Sequence, residues 1–492
     1  MGWPLKEQDL KRYPHFDAPL TIDELTRIAT DPAAVATNPF FPFLLYHKRW
    51  QPFRKRNEAG QKKEKKNRPI RYACRRDSAI YSYYRWLLSA RYETTLVARG
   101  IQDCPIAYRK IAAPNGRGGK CNIDFAAEAF ADIRALSPCC VVTLDIQEFF
   151  ESLDHERLRS VWCEILGVST LPPAHAAVFK AITRAAVVNR DAAYKRLGYI
   201  GEVQRPDGSK AIGYLQSRKE IPIQLCSTAD FRRKICGKGE ANGPSLIEKN
   251  EKPYGIVQGA PLSDLLANMY LLHFDECIAL WVRNRGGRYY RYSDDIFIVV
   301  PGGEREGREV EAYVTEQITH HGDHLHVKKS KTAIASFTND SDGTIHSKRI
   351  DRPQSTAGLE YLGFRFDGRD VYMRDSTLSR LRRNIVFAAR RRARMIVREH
   401  PGRDFESLKR AFNPVAFEAH YGRVREFRSS DGPRSWTFRT YVKRCTEVFK
   451  DADGTFFRQI RGLHAFIAEA VDREIRMAMT DSAASRGSVS SK

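Results

Sequence analysis

Three aspartates carry the most informative chemistry in the sequence. Asp294 and Asp295 are adjacent within RYYRYSDDIFIVV (288–300), where aromatic and branched residues on both sides predict two strands joined by a tight reversal. Asp145 ends a third strand-like run, Cys139 to Leu144. We expect the three carboxylates to meet at the ends of neighbouring strands. Like charges held that close repel each other strongly unless cations lie between them.

Such a carboxylate group predicts a magnesium site. Mg²⁺ prefers oxygen ligands and binds through one or two carboxylates together with substrate phosphates. Two such ions stabilise the attacking and leaving oxygens of an in-line displacement at phosphorus. We therefore expect two Mg²⁺ ions as cofactors, with Mn²⁺ as a substitute. An acidic pair in an ordinary turn is the alternative interpretation of Asp294 and Asp295 taken alone.

The overall charge favours a polyanionic partner. The chain has 492 residues, a net charge of +23 and a pI near 9.6, which is unusual for an enzyme acting on small neutral metabolites. Charge alone does not separate DNA, RNA and an anionic membrane surface. No apolar run of about 18 residues and no secretory leader are found, so we expect a cytoplasmic protein without a membrane partner. The ten cysteines show no C-x-x-C pattern and are interpreted as reduced core thiols.

The order of predicted elements indicates an α+β protein. Strand-like and helical patterns alternate in the middle of the chain, and the end of the chain is basic and almost entirely helical. GAPLSDLLANMYLLHFDECIALWV (259–282) predicts one long amphipathic helix, capped by Ser263 and Asp264. GEVQRPDGSKAIGY (201–214) and GLEYLGFRFDGRDVYM (358–373) predict hairpins. The last dozen residues are of low complexity and predict a disordered tail.

Several stretches resemble the motifs of reverse transcriptases, in the order of that family. VVTLDIQEFF looks like palm motif A, GIVQGAPLSDLLANMYL like motif B and YSDDIFIV like the Y-x-D-D motif C. HLHVKKSKT resembles motif D, EYLGFRF resembles motif E, and NRPIRYACRRDSAIYSYY and CPIAYRK resemble the finger motifs. The resemblance covers about residues 65 to 370.

The resemblance implies a right-hand polymerase fold with fingers, a palm built on an antiparallel sheet, and a helical thumb. It divides the chain into an N-terminal extension with fingers (1–135), a palm (136–374) with a finger insertion at about 160–250, a basic helical thumb or C-terminal domain (375–480) and the tail (481–492).

The family's motifs also imply roles for individual residues. The catalytic residues would be Asp145, Asp294, Asp295 and Lys331. Lys331 would protonate the departing pyrophosphate. The metal ligands would be the three aspartates and the Ile146 carbonyl. The dNTP site would contain Phe150 as the steric gate that excludes a 2′-hydroxyl, with Gln258, Gly259, Arg68, Arg71 and Arg109. Leu362 and Gly363 would form the primer grip, and nucleic acid would contact Arg380, Arg383, Arg390, Arg391 and Arg394.

Structural interpretations of these residues remain open beside the functional ones. Lys331 fits a surface lysine, the finger arginines fit solvated loop residues, and the arginine-rich helix fits a solvated helix. Phe149, next to the predicted gate, is expected to be a core residue because neighbours on an extended chain point to opposite sides.

Two further segments indicate which group of reverse transcriptases the sequence resembles. IPIQLCSTADFRRKI (221–235) and VFKDADGTFFRQIRGLHAFI (448–467) look similar to the bacterial enzymes of the unknown groups, several of which serve in anti-phage defence. That resemblance implies a structured small noncoding RNA as template, dNTPs as substrates and cDNA as product; a homo-oligomer stays open. The alternatives are a retron-like or group II intron-derived enzyme without a defence role, an RNA-dependent RNA polymerase, and a non-catalytic RNA-binding palm scaffold.

Overall fold

The structure is a computed structural model that describes residues 3–50, 66–113, 116, 118–204, 208–237, 243–354, 358–421 and 437–487. The basic stretch from Phe53 to Arg71, whose composition predicts a loop or a frayed helix, lies outside the described residues up to residue 65, and its last part belongs to a strand, Lys66–Tyr72.

Fourteen strands are present in the described parts of the chain. They are β1 (Phe43–Trp50), β2 (Lys66–Tyr72), β3 (Cys139–Asp145), β4 (Ala186–Asn189), β5 (Ile200–Gln204), β6 (Lys210–Tyr214), β7 (Ile247–Lys249), β8 (Arg288–Tyr292), β9 (Asp295–Pro301), β10 (Ala333–Asn339), β11 (Ile345–Arg349), β12 (Leu359–Tyr361), β13 (Phe364–Phe366) and β14 (Val371–Met373).

The same residues form seventeen α-helices. They are α1 (Ile22–Thr30), α2 (Pro32–Ala36), α3 (Arg75–Ala98), α4 (Asn122–Leu136), α5 (His155–Leu166), α6 (Pro173–Thr183), α7 (Arg190–Arg196), α8 (Thr228–Asp230), α9 (Ser263–Tyr270), α10 (Leu272–Arg283), α11 (Glu304–His320), α12 (Asp375–Glu399), α13 (Phe405–Phe412), α14 (Pro414–Tyr421), α15 (Phe438–Phe449), α16 (Thr455–Gln459) and α17 (Leu463–Gly487).

The central sheet is antiparallel, with strand order β11-β10-β3-β9-β8. Its inner strands are apolar on both faces because both faces are covered. On β9, Ile296 and Ile298 belong to the core beneath helices α9, α10 and α11, whereas Phe297 and Val299 belong to the core shared with α4 and the three-stranded sheet β12-β13-β14. This packing on two sides accounts for the unbroken hydrophobic run after Asp295.

Two further sheets flank this core. A four-stranded sheet has the order β2-β1-β4-β7, and the predicted hairpin at 201–214 is confirmed as the β5-β6 pair. The α+β fold class predicted from the sequence is confirmed. The antiparallel central sheet and the helical C-terminal region are the features expected of a right-hand polymerase fold. The domain boundaries given above stay predictions.

The C-terminal helices α12, α13, α14 and α17 enclose a separate core that includes Ile385, Ala389, Phe412 and Ile467. The prediction of a tail from residue 481 differs from the structure, because α17 continues to Gly487. Asp481 on this last part of α17 forms an ion pair with Arg394. Residues 488–492 lie outside the described residues.

The predicted long helix at 259–282 is wrong in detail. The segment forms two helices, α9 and α10, bent by 50°. Ser263 is the first residue of α9, Leu262 occupies the cap position, and no side chain caps this end. The Asp264 carboxylate instead pairs with Arg85 on α3. In the described part of the chain, no single helix is long and apolar enough to cross a membrane, and only the bent pair α9–α10 passes by length and composition.

Candidate active site

The central sheet brings the three aspartates together. Asp145, the last residue of β3, lies directly opposite Asp295, the first residue of β9. Asp294 precedes it in the two-residue turn between β8 and β9, whose strands pair up to Tyr292 and Asp295. The Ile146 N–H donates to the Asp294 carbonyl at 3.0 Å and fastens this turn to the end of β3. Asp145 and Asp294, which are 149 positions apart in the sequence, thus belong to one acidic cluster where β3 ends and β9 begins.

The turn that carries Asp294 is held from inside the protein by a buried arginine. Arg291 on β8 is fully buried and forms a bidentate ion pair with Asp275 on α10, with Nε to Oδ1 at 2.7 Å. Its Nη1 donates to the Ser293 carbonyl and to the Asn268 Oδ1 atom, both at 3.1 Å. Because Asn268 and Asp275 lie on α9 and α10, this arginine joins the predicted motif B helices to the motif C turn.

A second contact holds the turn from outside. Ser293 has a left-handed backbone conformation with φ 63°, and Tyr108 has φ 61°. The Tyr108 hydroxyl donates to Ser293 Oγ at 3.3 Å. Non-glycine residues adopt this conformation at a cost of about 1–3 kcal/mol and keep it only where the surroundings impose it. Here the carbonyls of Ala107 and Tyr108 accept hydrogen bonds from Asn268 (2.7 Å) and Arg85 (2.9 Å).

The carboxylates open into a cleft of about 590 Å³. One side carries cations: the Lys331 ammonium contacts Asp145 Oδ2, and Arg349, Arg352 and Arg374 line the same cleft. The other residues lining the cleft are Thr143, Leu144, Ile296, Ser330, Thr332, Ala333, Gly358, Glu360, Tyr361 and Leu362, besides the three aspartates. Acidic and basic groups therefore line the same cleft, which is open to solvent.

Crowding of the carboxylates shifts their protonation. Desolvation and the neighbouring charges of Asp294 and Asp145 raise the pKa of Asp295 to about 7, although its side chain is still open to the cleft. Desolvation and then the charge of Asp145 also raise the pKa of Asp294, and Lys331 opposes this shift. The three carboxylates thus repel one another when they are ionised, and Lys331 offsets part of this repulsion.

This donor set fits the predicted metal. The three carboxylates are hard oxygen donors, the kind that Mg²⁺ and Mn²⁺ prefer, whereas Ile146, the fourth predicted ligand, does not line the cleft. The cluster contains no nitrogen or sulfur ligand among the residues lining the cleft. Divalent ions bound here would supply charge that offsets the repulsion and would polarise phosphate oxygens.

The predicted nucleotide residues form a neighbouring group. A Cβ on Gly259 would lie 2.1 Å from the Arg71 carbonyl, so only glycine lets the turn before α9 approach β2 this closely. The Arg71 side chain extends to Glu151 at 3.5 Å. Gln258 is half-buried, and Arg68 is exposed on the same strand as Arg71. None of these residues lines the carboxylate cleft itself in the described structure.

Phe149 is a core residue, as predicted, but for a different reason, and the gate role of Phe150 stays a prediction. Phe149 is buried and Phe150 is half-buried. They lie on a short 3₁₀-helix, Phe149–Glu151, and not on an extended chain. The tight turn of that helix, and not strand alternation, separates the two rings. The Phe150 carbonyl accepts from Ile256 N–H at 2.7 Å, which fixes this turn to the segment before Gln258.

The predicted role of Arg109 is contradicted by its surroundings. Its guanidinium forms a bidentate pair with Glu93 at 2.8 and 2.6 Å and donates to the Pro105 carbonyl at 2.7 Å. The side chain is only 5% exposed. With its donors engaged, Arg109 holds the 102–109 segment in place and is not placed to bind a triphosphate.

Leu362 and Gly363 form the two-residue turn between β12 and β13, as expected. Both have positive φ, 44° and 94°, which a tight hairpin of this kind requires. Asn122 on α4 donates to the Leu362 carbonyl at 3.2 Å. Because Leu362 lines the carboxylate cleft, the turn is positioned beside the acidic cluster.

The predicted nucleic-acid arginines are all exposed on α12 but are not equivalent. Arg390 pairs with the buried Glu474 on α17 at 2.7 Å, and Arg394 pairs with Asp481 at 3.4 Å. Arg380, Arg383 and Arg391 also face solvent. Two of the five therefore help to join α12 to α17 as well as facing outward.

Sequence reasoning missed Tyr108, Arg291 and Asp275. An arginine at 291, inside a strand otherwise rich in aromatic residues, was a usable signal, because a buried arginine requires a carboxylate partner. The sequence does not identify that partner, Asp275, because it lies on another element, 16 residues away.

Comparisons with known proteins give distant likenesses only. No protein-family model matches the sequence, and no curated protein is significantly similar to it. The structure resembles apo telomerase from Candida tropicalis, with 12% identity over 83% of this chain and 61% of that chain and a TM-score of 0.33. It also resembles telomerase from Candida albicans in complex with a TWJ fragment of telomeric RNA, with 11% identity over 92% of this chain and 68% of that chain and a TM-score of 0.36.

A C-terminally truncated form of the Candida tropicalis protein matches 63% of this chain and 52% of its own, with a TM-score of 0.35. The chain thus spans about half to two thirds of the length of the structures it matches. At these TM-scores the likenesses carry no argument about activity, and the proposal that follows depends on the site itself.

Proposed function

We propose that the protein is an RNA-directed DNA polymerase, a reverse transcriptase that synthesises cDNA by two-metal nucleotidyl transfer. The observation that supports this most is the convergence of Asp145, Asp294 and Asp295 at the end of β3 and the β8–β9 turn. Such a cluster of oxygen donors, placed beside basic side chains in an open cleft, suits the handling of phosphate groups.

The residues around the cluster have separate tasks in this reaction. Two Mg²⁺ ions held by Asp145, Asp294 and Asp295 would stabilise the charge that develops on the transferred phosphorus and the leaving pyrophosphate. Lys331, which lines the cleft and contacts Asp145, would neutralise and protonate the leaving group. The Leu362–Gly363 turn lies where it can hold the primer end against the carboxylates.

Selection of the sugar is assigned to Phe150. Its half-buried ring lies on the rigid 3₁₀-helix four residues beyond the Ile146 position. Arg68 and Arg71 on β2 supply positive charge nearby, and Gly259 brings β2 close to the turn before α9. We propose that this neighbouring group binds the dNTP and that the phenyl ring excludes a 2′-hydroxyl.

The partner and setting complete the proposal. The basic composition and the α12 arginines suit an RNA template. The segments 221–235 and 448–467 resemble bacterial reverse transcriptases of the unknown groups. That resemblance suggests a structured small noncoding RNA as the template and a role in anti-phage defence. Mn²⁺ should substitute for Mg²⁺, and the protein should act in the cytoplasm.

Incorporation of labelled nucleotides tests the proposal. Purified protein with a primed RNA template and Mg²⁺ should extend the primer with dNTPs, and Asp294→Ala should abolish extension. Phe150→Val should keep DNA synthesis and admit NTPs. Extension by wild type with NTPs and dNTPs equally would overturn the sugar assignment. Absence of extension with either metal would favour the non-catalytic RNA-binding scaffold.

A further inference from the structure

Helix α12 presents an exposed aromatic ring within a stripe of arginines. The Phe387 side chain is 69% exposed and Met395 is 50% exposed. Both line a groove of about 470 Å³ together with Arg390, Arg391, Arg394 and Arg398, and Glu399 lies at its end. Four guanidinium groups and one carboxylate line the groove, and two of the guanidinium groups pair with carboxylates of α17, so the remaining positive charge lies mainly on Arg391 and Arg398.

The fold does not need Phe387. The core between α12 and α17 is formed by other residues of α12, among them Ile385, Ala389 and Ala393, and Phe387 neither belongs to it nor packs against it. An exposed phenyl ring leaves apolar surface in water. Since Phe387 and Arg391 are four residues apart on the helix, the ring and the cation lie side by side on one face.

Part of this arginine stripe is fixed in position before any ligand binds. Arg390 is held by Glu474, whose side chain is 1% exposed, at 2.7 Å, and Arg394 is held by Asp481. Arg391 and Arg398 have no hydrogen-bond or ion-pair partner within the described parts of the chain. The groove therefore combines two oriented cations with two that are available to a new anion.

An aromatic face flanked by cations matches an unpaired nucleotide. Single-stranded nucleic acid is bound by stacking of bases on aromatic rings while basic residues follow the phosphates. Inside a duplex the bases are stacked on one another and offer no free face to an isolated ring, and an acidic peptide has no nucleobase to stack. We propose that the groove along 387–398 binds an unpaired stretch of RNA, with a base stacked on Phe387 and phosphates on Arg391 and Arg398.

This inference rests on the proposed function for the identity of the nucleic acid as RNA. It goes beyond that function because it assigns to α12 the binding of unpaired bases of the RNA partner. Helix α12 would then contact more than the duplex formed by template and primer. It needs no catalysis, so binding can be measured without divalent ions and in the Asp294→Ala background. RNA binding can therefore be measured even if the protein has no polymerase activity, and polymerase activity can be measured even if the groove does not bind RNA.

Fluorescence anisotropy with a labelled unpaired RNA and a blunt RNA duplex of equal length tests the proposal. Phe387→Ala should weaken binding of the unpaired RNA at least about five-fold, because stacking on one aromatic ring is worth about 1–3 kcal/mol. Binding of the duplex should change less than about two-fold, and Phe387→Trp should restore binding of the unpaired RNA. Val415→Ala, which truncates another apolar side chain that is 68% exposed on α14, is the matched control and should have no effect.

The salt dependence separates stacking from phosphate contacts. Phe387→Ala should leave the slope of log affinity against log salt unchanged, whereas Arg391→Gln should reduce it by about 0.7. The proposal would be overturned if Phe387→Ala bound unpaired RNA as tightly as wild type, or if it lost equal affinity for unpaired and duplex RNA. It would also be overturned if Phe387→Trp failed to restore binding, or if wild type bound unpaired DNA more tightly than unpaired RNA.

Discussion

The Tyr108 hydroxyl donates to Ser293 Oγ at 3.3 Å, and both residues are left-handed. This hydrogen bond joins the 104–109 segment to the residue just before Asp294. The same segment is also bound to β8 by Arg291 N–H to the Cys104 carbonyl, at 2.8 Å. Two strained residues thus support each other at the tip that carries a carboxylate of the candidate site.

Removing the Tyr108 hydroxyl should therefore affect catalysis more than folding. We expect Tyr108→Phe to lower kcat about two- to ten-fold, the effect of losing one hydrogen bond, while the KM for dNTP stays the same. Steady-state primer extension measures both constants. The ring remains in place, so the melting temperature should not change.

A double-mutant cycle provides the control for Tyr108. Ser293→Ala should reproduce the loss, and the combined variant should lose no more than either alone. Tyr83→Phe, on α3, removes a hydroxyl that has no hydrogen-bond partner in the described structure and should be silent. Additive losses, or a raised KM with unchanged kcat, would show that the hydrogen bond does not position Asp294.

Lys331 should compete with the metal for Asp145. Its ammonium contacts Asp145 Oδ2 and is 50% exposed, so the contact is partly screened by solvent. We expect Lys331→Met to bind Mn²⁺ about two- to five-fold more tightly than wild type, measured by electron paramagnetic resonance of free Mn²⁺, while primer extension becomes slower. Lys329→Met, on the same short 3₁₀-helix (Lys329–Lys331), is the control. Weaker Mn²⁺ binding by Lys331→Met would contradict the competition.

The raised pKa of Asp295 predicts how stability depends on pH without metal. A carboxyl group whose pKa is higher in the folded state than in the unfolded state stabilises the fold only while it is protonated. Its contribution is therefore lost as the pH rises from the ordinary carboxylate range through about 7. Metal-free wild type should lose more stability between about pH 5 and pH 7 than Asp295→Asn, measured by urea unfolding.

Addition of Mg²⁺ is the control for this pH effect. Because a bound cation favours the ionised carboxylate, saturating Mg²⁺ should stabilise wild type more at about pH 8 than at pH 6. The same stabilisation at both pH values, or identical pH profiles for wild type and Asp295→Asn, would show that Asp295 titrates normally.

Breaking the buried pair of Arg291 and Asp275 should destabilise the whole protein. Arg291→Met leaves the Asp275 carboxylate buried without its partner, and we expect the free energy of unfolding to fall by about 3–5 kcal/mol. Arg159→Met removes an exposed partner of Glu156 at 2.6 Å and should cost less than about 1 kcal/mol. Similar urea unfolding curves for the two variants would contradict the role of Arg291.

The acidic cluster was predictable because it depends on local patterns. Strand-like flanks around Asp294 and a strand ending at Asp145 were readable from the residue types, and the α+β class followed from the alternation of elements. The exact opposition of Asp145 and Asp295 depends on strand register, which is set by both covered faces of the sheet.

Other features depended on contacts distant in sequence. Arg109 was assigned to the triphosphate because its position matched a motif, whereas Glu93, one helix earlier, engages its donors. The α9–α10 segment bends by 50°, and Asp264 pairs with Arg85 on α3, a residue 179 positions away in the sequence. A hydrophobic periodicity that continues through both helices does not reveal either feature.

Anomalous scattering from Mn²⁺ tests the central claim most directly. A crystal of the protein with a primed template, a chain-terminated primer and an incoming dNTP should show two Mn²⁺ peaks about 3.5–4 Å apart, both bound by oxygens of Asp145 and Asp294. Crystals of Asp294→Asn should lack at least one of them. Peaks remote from Asp145 and Asp294, or no peaks with the nucleotide bound, would contradict the account.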